Sequence, residues 1–176
     1  MTLSQVKEML QSQALPFTEC TFENEADFLH HISSFANTKN TKQNKFYGLM
    51  IHSNNEKTHI TLEFEEKNNE YVFLDLWFGD VCFEIGTEDC AFLLDEIRNI
   101  ATGKRTVISV TNPARKQWLS DTVFDRNDSD DDVFGEIGFQ KAMKQIRRKK
   151  TFWEKLFGFN RCYEIYDWNT YECVTK

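Results

Sequence analysis

Four histidines, five cysteines and a run of aspartates are the side chains with which this chain could do metal, nucleophilic or acid–base chemistry. His30 and His31 fall on a predicted helix, and His52 and His59 on adjacent predicted strands. The latter two flank Asn54-Asn55, a turn across which they could face each other. A metal site needs ligands that converge from i, i+4 helix positions or from paired strand positions. Third and fourth ligands are missing from the pattern, so His52 and His59 are read as solvent-side strand residues.

The cysteines, Cys20, Cys82, Cys90, Cys162 and Cys173, are odd in number, and no two are spaced as CxxC. Neither metal-site spacing nor a nucleophile motif such as GxSxG or CGxC occurs. Only Cys162, after Arg161, has a basic neighbour. Free cysteines in apolar or strand contexts act as small hydrophobes. The seven glycines form neither GxGxxG nor GxxxxGK[ST], and GEIG at 135–138 lacks the lysine and the preceding strand of a phosphate loop.

The aspartate run, DTVFDRNDSDDDVFGE at 121–136, aligns with a calcium loop through Asp125, Asn127, Ser129 and Glu136. Asp130 stands where that loop needs glycine, and Asp132 where it prefers an apolar residue. The run is therefore read as a solvated loop with no structural calcium. Together these patterns predict a non-enzyme with no cofactor and no metal.

Two charged constellations point instead to binding. Segment 139–161 carries Lys141, Lys144, Arg147, Arg148, Lys149, Lys150, Lys155 and Arg161 against Glu154 alone, beside Phe152, Trp153, Phe157 and Phe159. Such a segment suits nucleic acid or a membrane surface. The plainer reading is a helix that packs Phe139, Met143 and Ile146 on a sheet and turns its charge to water or the acidic loop. Residues 54–96 hold twelve acids and two lysines. Alternation along them places Glu63, Glu65, Asp75 and Glu84 on the side of Phe73 and Trp77, away from a core of Ile60, Leu62, Phe64, Val72, Leu74 and Leu76. A Trp among carboxylates suits a basic protein partner, the ring supplying buried area and the acids steering.

The elements that must position these residues are set by periodicity. Helices are predicted over 2–13, ended by Pro16, over 25–36, over 88–102 with Gly103 as the stop, and over 139–157. Strands 46–52, 57–66, 70–78 and 81–86, joined by Asn54-Asn55, Asn68-Asn69 and Gly79-Asp80, form an antiparallel meander. A strand at 105–110 closes at Asn112-Pro113, and 161–174 is a final strand or hairpin. The expected fold is a single α+β domain over 1–176, with a central antiparallel sheet and helices mainly on one face.

Composition agrees. Hydrophobic residues are 40% and aromatics 14%, with 16 Phe, enough to build a core and leave some rings at an interface. A net charge of −7 argues against nucleic acid as the default partner. The N-terminus MTLSQVKEML has no signal-like apolar run, and no stretch approaches a membrane span. Reduced thiols in a cytoplasm are expected.

In overall character, carried by the acidic and aromatic residues above, the chain resembles the immunity proteins of bacterial toxin–immunity systems, those paired with contact-dependent growth-inhibition toxins in particular. Small phage-encoded inhibitors of host nucleases share the profile. The resemblance implies tight, stoichiometric binding of a cognate toxin domain, often a nuclease. The expected contact residues are Glu63, Glu65, Phe73, Asp75, Trp77 and Glu84. The alternative surface is Asp128, Asp130, Asp131 and Asp132 with Arg147 and Arg148, and a nucleic-acid or membrane-surface module using 139–161 is the other class of reading.

Overall fold

The structure is a computed structural model. It describes residues 1–32, 38–39, 41–55, 57–83, 85, 90–112, 114, 117–126, 138–150 and 161–176. The architecture is α+β, and the chain divides into two compact units, Met1–Arg98 and Asn99–Lys176.

In the first unit, α1 (Leu3–Ser12) opens on a capping box: Gln5 N donates to Thr2 Oγ1 at 3.4 Å, and Thr2 N to Gln5 Oε1 at 2.8 Å. It buries Val6 and Leu10. Next come β1 (Thr18–Phe22), α2 (Glu25–Ile32), β2 (Phe46–His52), β3 (His59–Lys67), β4 (Glu70–Phe78) and β5 (Val81–Phe83). The five strands lie in the order β1-β2-β3-β4-β5, all antiparallel, which is the meander that alternation predicts. Its two-residue turn at Asn68-Asn69 has φ of 54° and 64°, the left-handed pair that asparagine tolerates best after glycine. Strand β1 is an addition, because TECTF carries too few apolar residues to stand out by period.

The sheet is covered on both faces. Lys7 of α1 lies over the Tyr47 ring, and Phe73 N donates to Met1 O at 2.8 Å. On the other face Phe28 of α2 meets Trp77 edge-on, with ring centroids 6.4 Å apart. Strand β3 is accordingly buried without interruption from Ile60 to Glu65.

Helix α3 (Cys90–Ala101) comes next, burying Leu93, Ile97 and Ile100, and Gly103 just beyond it has φ of 73°. The second unit holds β6 (Arg105–Asn112), β7 (Gln117–Asp125), α4 (Phe139–Arg147), β8 (Cys162–Tyr166) and β9 (Tyr171–Thr175). These strands form a second antiparallel sheet in the order β7-β6-β8-β9. Met143 and Ile146 of α4 pack on Ile108 and Ile165, flanked by Val110, Phe124, Phe139 and Tyr163. The first residues of the expected acidic loop, 121–125, are thus strand. The helix expected over 139–157 ends at Arg147, because Arg148 turns into extended backbone (ψ 150°) and residues 149–150 are not helical; residues 151–160 lie outside the described residues.

Candidate functional site

The expected partner face centres on Glu63, and the structure relocates it to the interior. Glu63 lies on β3 between Gly48 of β2 and Asp75 of β4. Gly48 gives Cys20 of β1 room, because a Cβ at that position would stand 2.8 Å from Cys20 Sγ and push it aside. Trp77, also on β4, donates its indole Nε1 to Glu63 Oε2 at 2.7 Å. Glu63 is only 2% exposed. Burial pushes its carboxyl up to about 7; the Trp77 bond opposes this, Asp75 and Glu25 add to it, and Lys42 opposes it. Next to it on the same face, Thr61 is buried with its Oγ1 unpartnered. The arrangement can hold or release a proton near neutral pH. It lies beneath α2, whose Phe28 ring meets Trp77.

Glu65 is 3% exposed and held differently. It accepts from Asn44 Nδ2 at 2.7 Å, and Lys67 and Lys42 reach it at 3.2 and 3.4 Å. Burial alone would raise its carboxyl, but the Asn44 and Lys67 hydrogen bonds and the two lysine charges hold it below the usual range. Phe73 is 1% exposed and belongs to the opposite face. A bulge in the β3–β4 ladder pairs Glu63 with Asp75 but Phe64 with Phe73, leaving Leu74 unpaired. Phe73 therefore stands on the Phe64 side, ring centroids 5.7 Å apart, and half-buried Leu74 loses its predicted core place to it. Glu63, Glu65 and Phe73 are thus not the exposed face that strict alternation gives. Asp75 and Trp77 are half-buried, and Glu84 lies outside the described residues.

The histidine pair does face itself: His52 and His59 are cross-strand partners with ring centroids 6.3 Å apart. Sequence reasoning set His31 apart on its helix, but α2 places it 6.3 Å from His59; it missed Thr18, whose Oγ1 is 3.0 Å from His52 Nε2. Burial, then the His31 and His52 charges, hold the His59 imidazole below its ordinary value. Among the described residues no group of three or more His, Cys, Asp or Glu has the geometry to hold a metal ion.

In the second unit the outer strand β7 presents Trp118 at 47% and Leu119 at 38% exposure. The register shift at Val110/Thr111 pairs Ser120 with Val110 and Trp118 with Thr111, which makes Leu119 the bulged residue. Asp121 is on the same strand, opposite Ser109. On the α4 side a cleft of ≈ 300 Å³ has an apolar floor of Ile108, Val110 and Phe124, with Arg148, Arg161 and Lys176 at its rim. Arg147 Nη2 donates to Glu172 Oε2 of β9 at 2.8 Å, so its observed partner is a strand residue. Asp128, Asp130, Asp131 and Asp132 lie outside the described residues, as do Asn127, Ser129 and Glu136 of the calcium-loop alignment; its Asp125 ends β7 and pairs with Arg105 at 3.1 Å. The β7 edge was missed because Pro113 reads as the end of the strand region and the aspartates dominate residues 121–132. Its legible signal is the β-prone pattern of Trp118, Thr122, Val123 and Phe124.

Compared with known proteins, the chain matches no family model, no curated protein and no solved structure.

Proposed function

We propose that this protein works by occupancy, as an immunity-type inhibitor that binds a basic protein partner, a cognate toxin domain, in a one-to-one complex. The observation that carries the reading is the β7 edge. Two adjacent large apolar side chains, Trp118 and Leu119, are exposed on an outer strand. The sequence from 117 to 136 sets seven acids against Arg126 alone. An exposed strand edge offers backbone groups for pairing, an exposed Trp offers an anchor, and the acids steer a basic partner toward them. This moves the contact away from the Glu63 face, whose carboxylates are already committed inside the first unit.

A cytoplasmic location belongs to the same reading. Among the described residues no helix is long and apolar enough to cross a membrane. Co-expression with a basic toxin domain offered as its partner tests the proposal. Survival that depends on this chain, with a one-to-one complex on gel filtration, supports it; toxicity unchanged at equal expression overturns it.

One observation favours a second reading. Lys141, Lys144, Arg147, Arg148 and Lys149 are exposed on and after α4, next to the cationic rim of the cleft. That surface suits an anionic partner, a nucleic acid or a lipid surface. Retention on heparin that is lost in Lys141→Glu/Lys144→Glu, without toxin protection, would select it.

A further inference from the structure

Cys162 and Cys173 lie on neighbouring strands of the second sheet. In the β8–β9 register Cys162 stands opposite Thr175 and Cys173 opposite Glu164, so the two cysteines are diagonal neighbours on one face. Diagonal positions are ordinarily too far apart for short side chains. Here the two Sγ atoms are only 2.9 Å apart. Cys173 is exposed, on the outer edge strand, and Cys162 is half-buried beside it.

We propose that Cys162 and Cys173 form a reversible thiol–disulfide site, closed by exchange with a low-molecular-weight disulfide such as oxidised glutathione. A disulfide bond is about 2.05 Å long, so closure asks the sulfurs to approach by roughly a further 0.9 Å. The accessible thiol acts first. Cys173 gives up its proton and its sulfur attacks one sulfur of the small disulfide. The S–S bond of the reagent breaks, one half leaves as a thiolate that takes up a proton, and the other half remains as a mixed disulfide on Cys173. Cys162 then loses its proton and attacks Cys173 Sγ. The second half leaves as a thiol, and the Cys162–Cys173 bond is made. Two protein thiols are oxidised and one small disulfide is reduced to two thiols.

The order of attack has an electrostatic basis. Burial, then the hydrogen bond and charge of Cys173 and the charge of Glu164, push the Cys162 thiol up to about 11. Cys162 is therefore a poor first nucleophile. Once Cys173 is capped, its hydrogen bond and charge no longer oppose ionisation of Cys162, and the second step is intramolecular. The closed site would staple the outer strand β9 to β8. Glu172, which anchors β9 to α4 through Arg147, lies between Tyr171 and Cys173 on that strand.

The test uses the full-length chain equilibrated with graded ratios of oxidised to reduced glutathione, quenched by alkylation and mapped by mass spectrometry. The expected result is a Cys162–Cys173 linked peptide that appears as the ratio rises and disappears with excess reduced glutathione. Cys162→Ser should instead accumulate glutathione on Cys173, because nothing resolves it. Amide exchange at Glu172–Thr175 should slow in the oxidised wild type. Recovery of both residues as alkylated thiols at every ratio would overturn the proposal. So would a wild type that accumulates glutathione on Cys173 as the Cys162→Ser variant does.

Discussion

The indole Nε1 of Trp77 donates to Glu63 Oε2 at 2.7 Å across β3 and β4, giving a polar partner to a carboxyl buried to 2% exposure. Burial outweighs that bond and raises the carboxyl from its usual 4.5 to about 7. Between those values folded Glu63 keeps a proton that the unfolded chain releases. Stability from this group is therefore complete below pH 4.5 and is lost as pH rises through about 7.

Glu63→Gln should remove that dependence. The stability of the wild type relative to Glu63→Gln should fall by up to about 3 kcal/mol between mildly acidic and mildly alkaline pH, measured by urea unfolding. A difference that stays constant with pH would mean that Glu63 is ionised throughout.

His59 contributes with the opposite sign. Its imidazole is held below 6.5 by burial, then by His31 and His52, so the unfolded chain takes up a proton before the folded one does. Stability from this group is present above 6.5 and is lost as pH falls through the lowered folded value. The ring resonances of His59 should titrate below 6.5 in an NMR pH series. A midpoint at or above that value would contradict the His31–His52–His59 packing.

The bulge at Leu74 is tested by comparing neighbours. Phe73→Ala should cost about 3–5 kcal/mol, because a fully packed ring is removed. Leu74→Ala, at a half-buried position, should cost clearly less, as read by denaturant midpoints. The reverse order would restore strict alternation through β4.

Those same residues show what the sequence discloses. Alternation in β3 and β4 locates the strands, their turns and the core positions Ile60, Leu62 and Leu76. A bulge leaves no mark on hydrophobic period when both flanking residues, Phe73 and Leu74, are apolar, so the face of Phe73 is set by the ladder. The burial of Glu63 and Glu65 was illegible for another reason. It depends on α2 closing over the sheet and on Lys42, Asn44 and Lys67 arriving from other positions to satisfy Glu65. The meeting of His31 with His59 is likewise tertiary, whereas that of Cys162 with Cys173 depends on the β8–β9 register, which a strand or hairpin expected at 161–174 leaves open. Trp118 was legible as an aromatic residue, but its exposure comes from β7 being an outer strand, which only the strand order reveals.

Gly48 links two strands in a way a double substitution can read. Gly48→Ala should destabilise by about 1–3 kcal/mol, since the new methyl meets Cys20 Sγ. Combining it with Cys20→Ala should recover part of the loss, because the sulfur it strikes is gone. Strict additivity of the two, by thermal or urea unfolding, would place the strain elsewhere.

The central claim is occupancy of a basic partner through the β7 edge. Calorimetric titration of the purified cognate toxin domain into wild type, Trp118→Ala and Arg147→Glu/Arg148→Glu tests it most directly. The account predicts a one-to-one complex that Trp118→Ala weakens by about 2 kcal/mol or more, while the double arginine reversal leaves affinity essentially unchanged. A complex that survives Trp118→Ala intact and is abolished by the arginine reversal would contradict it.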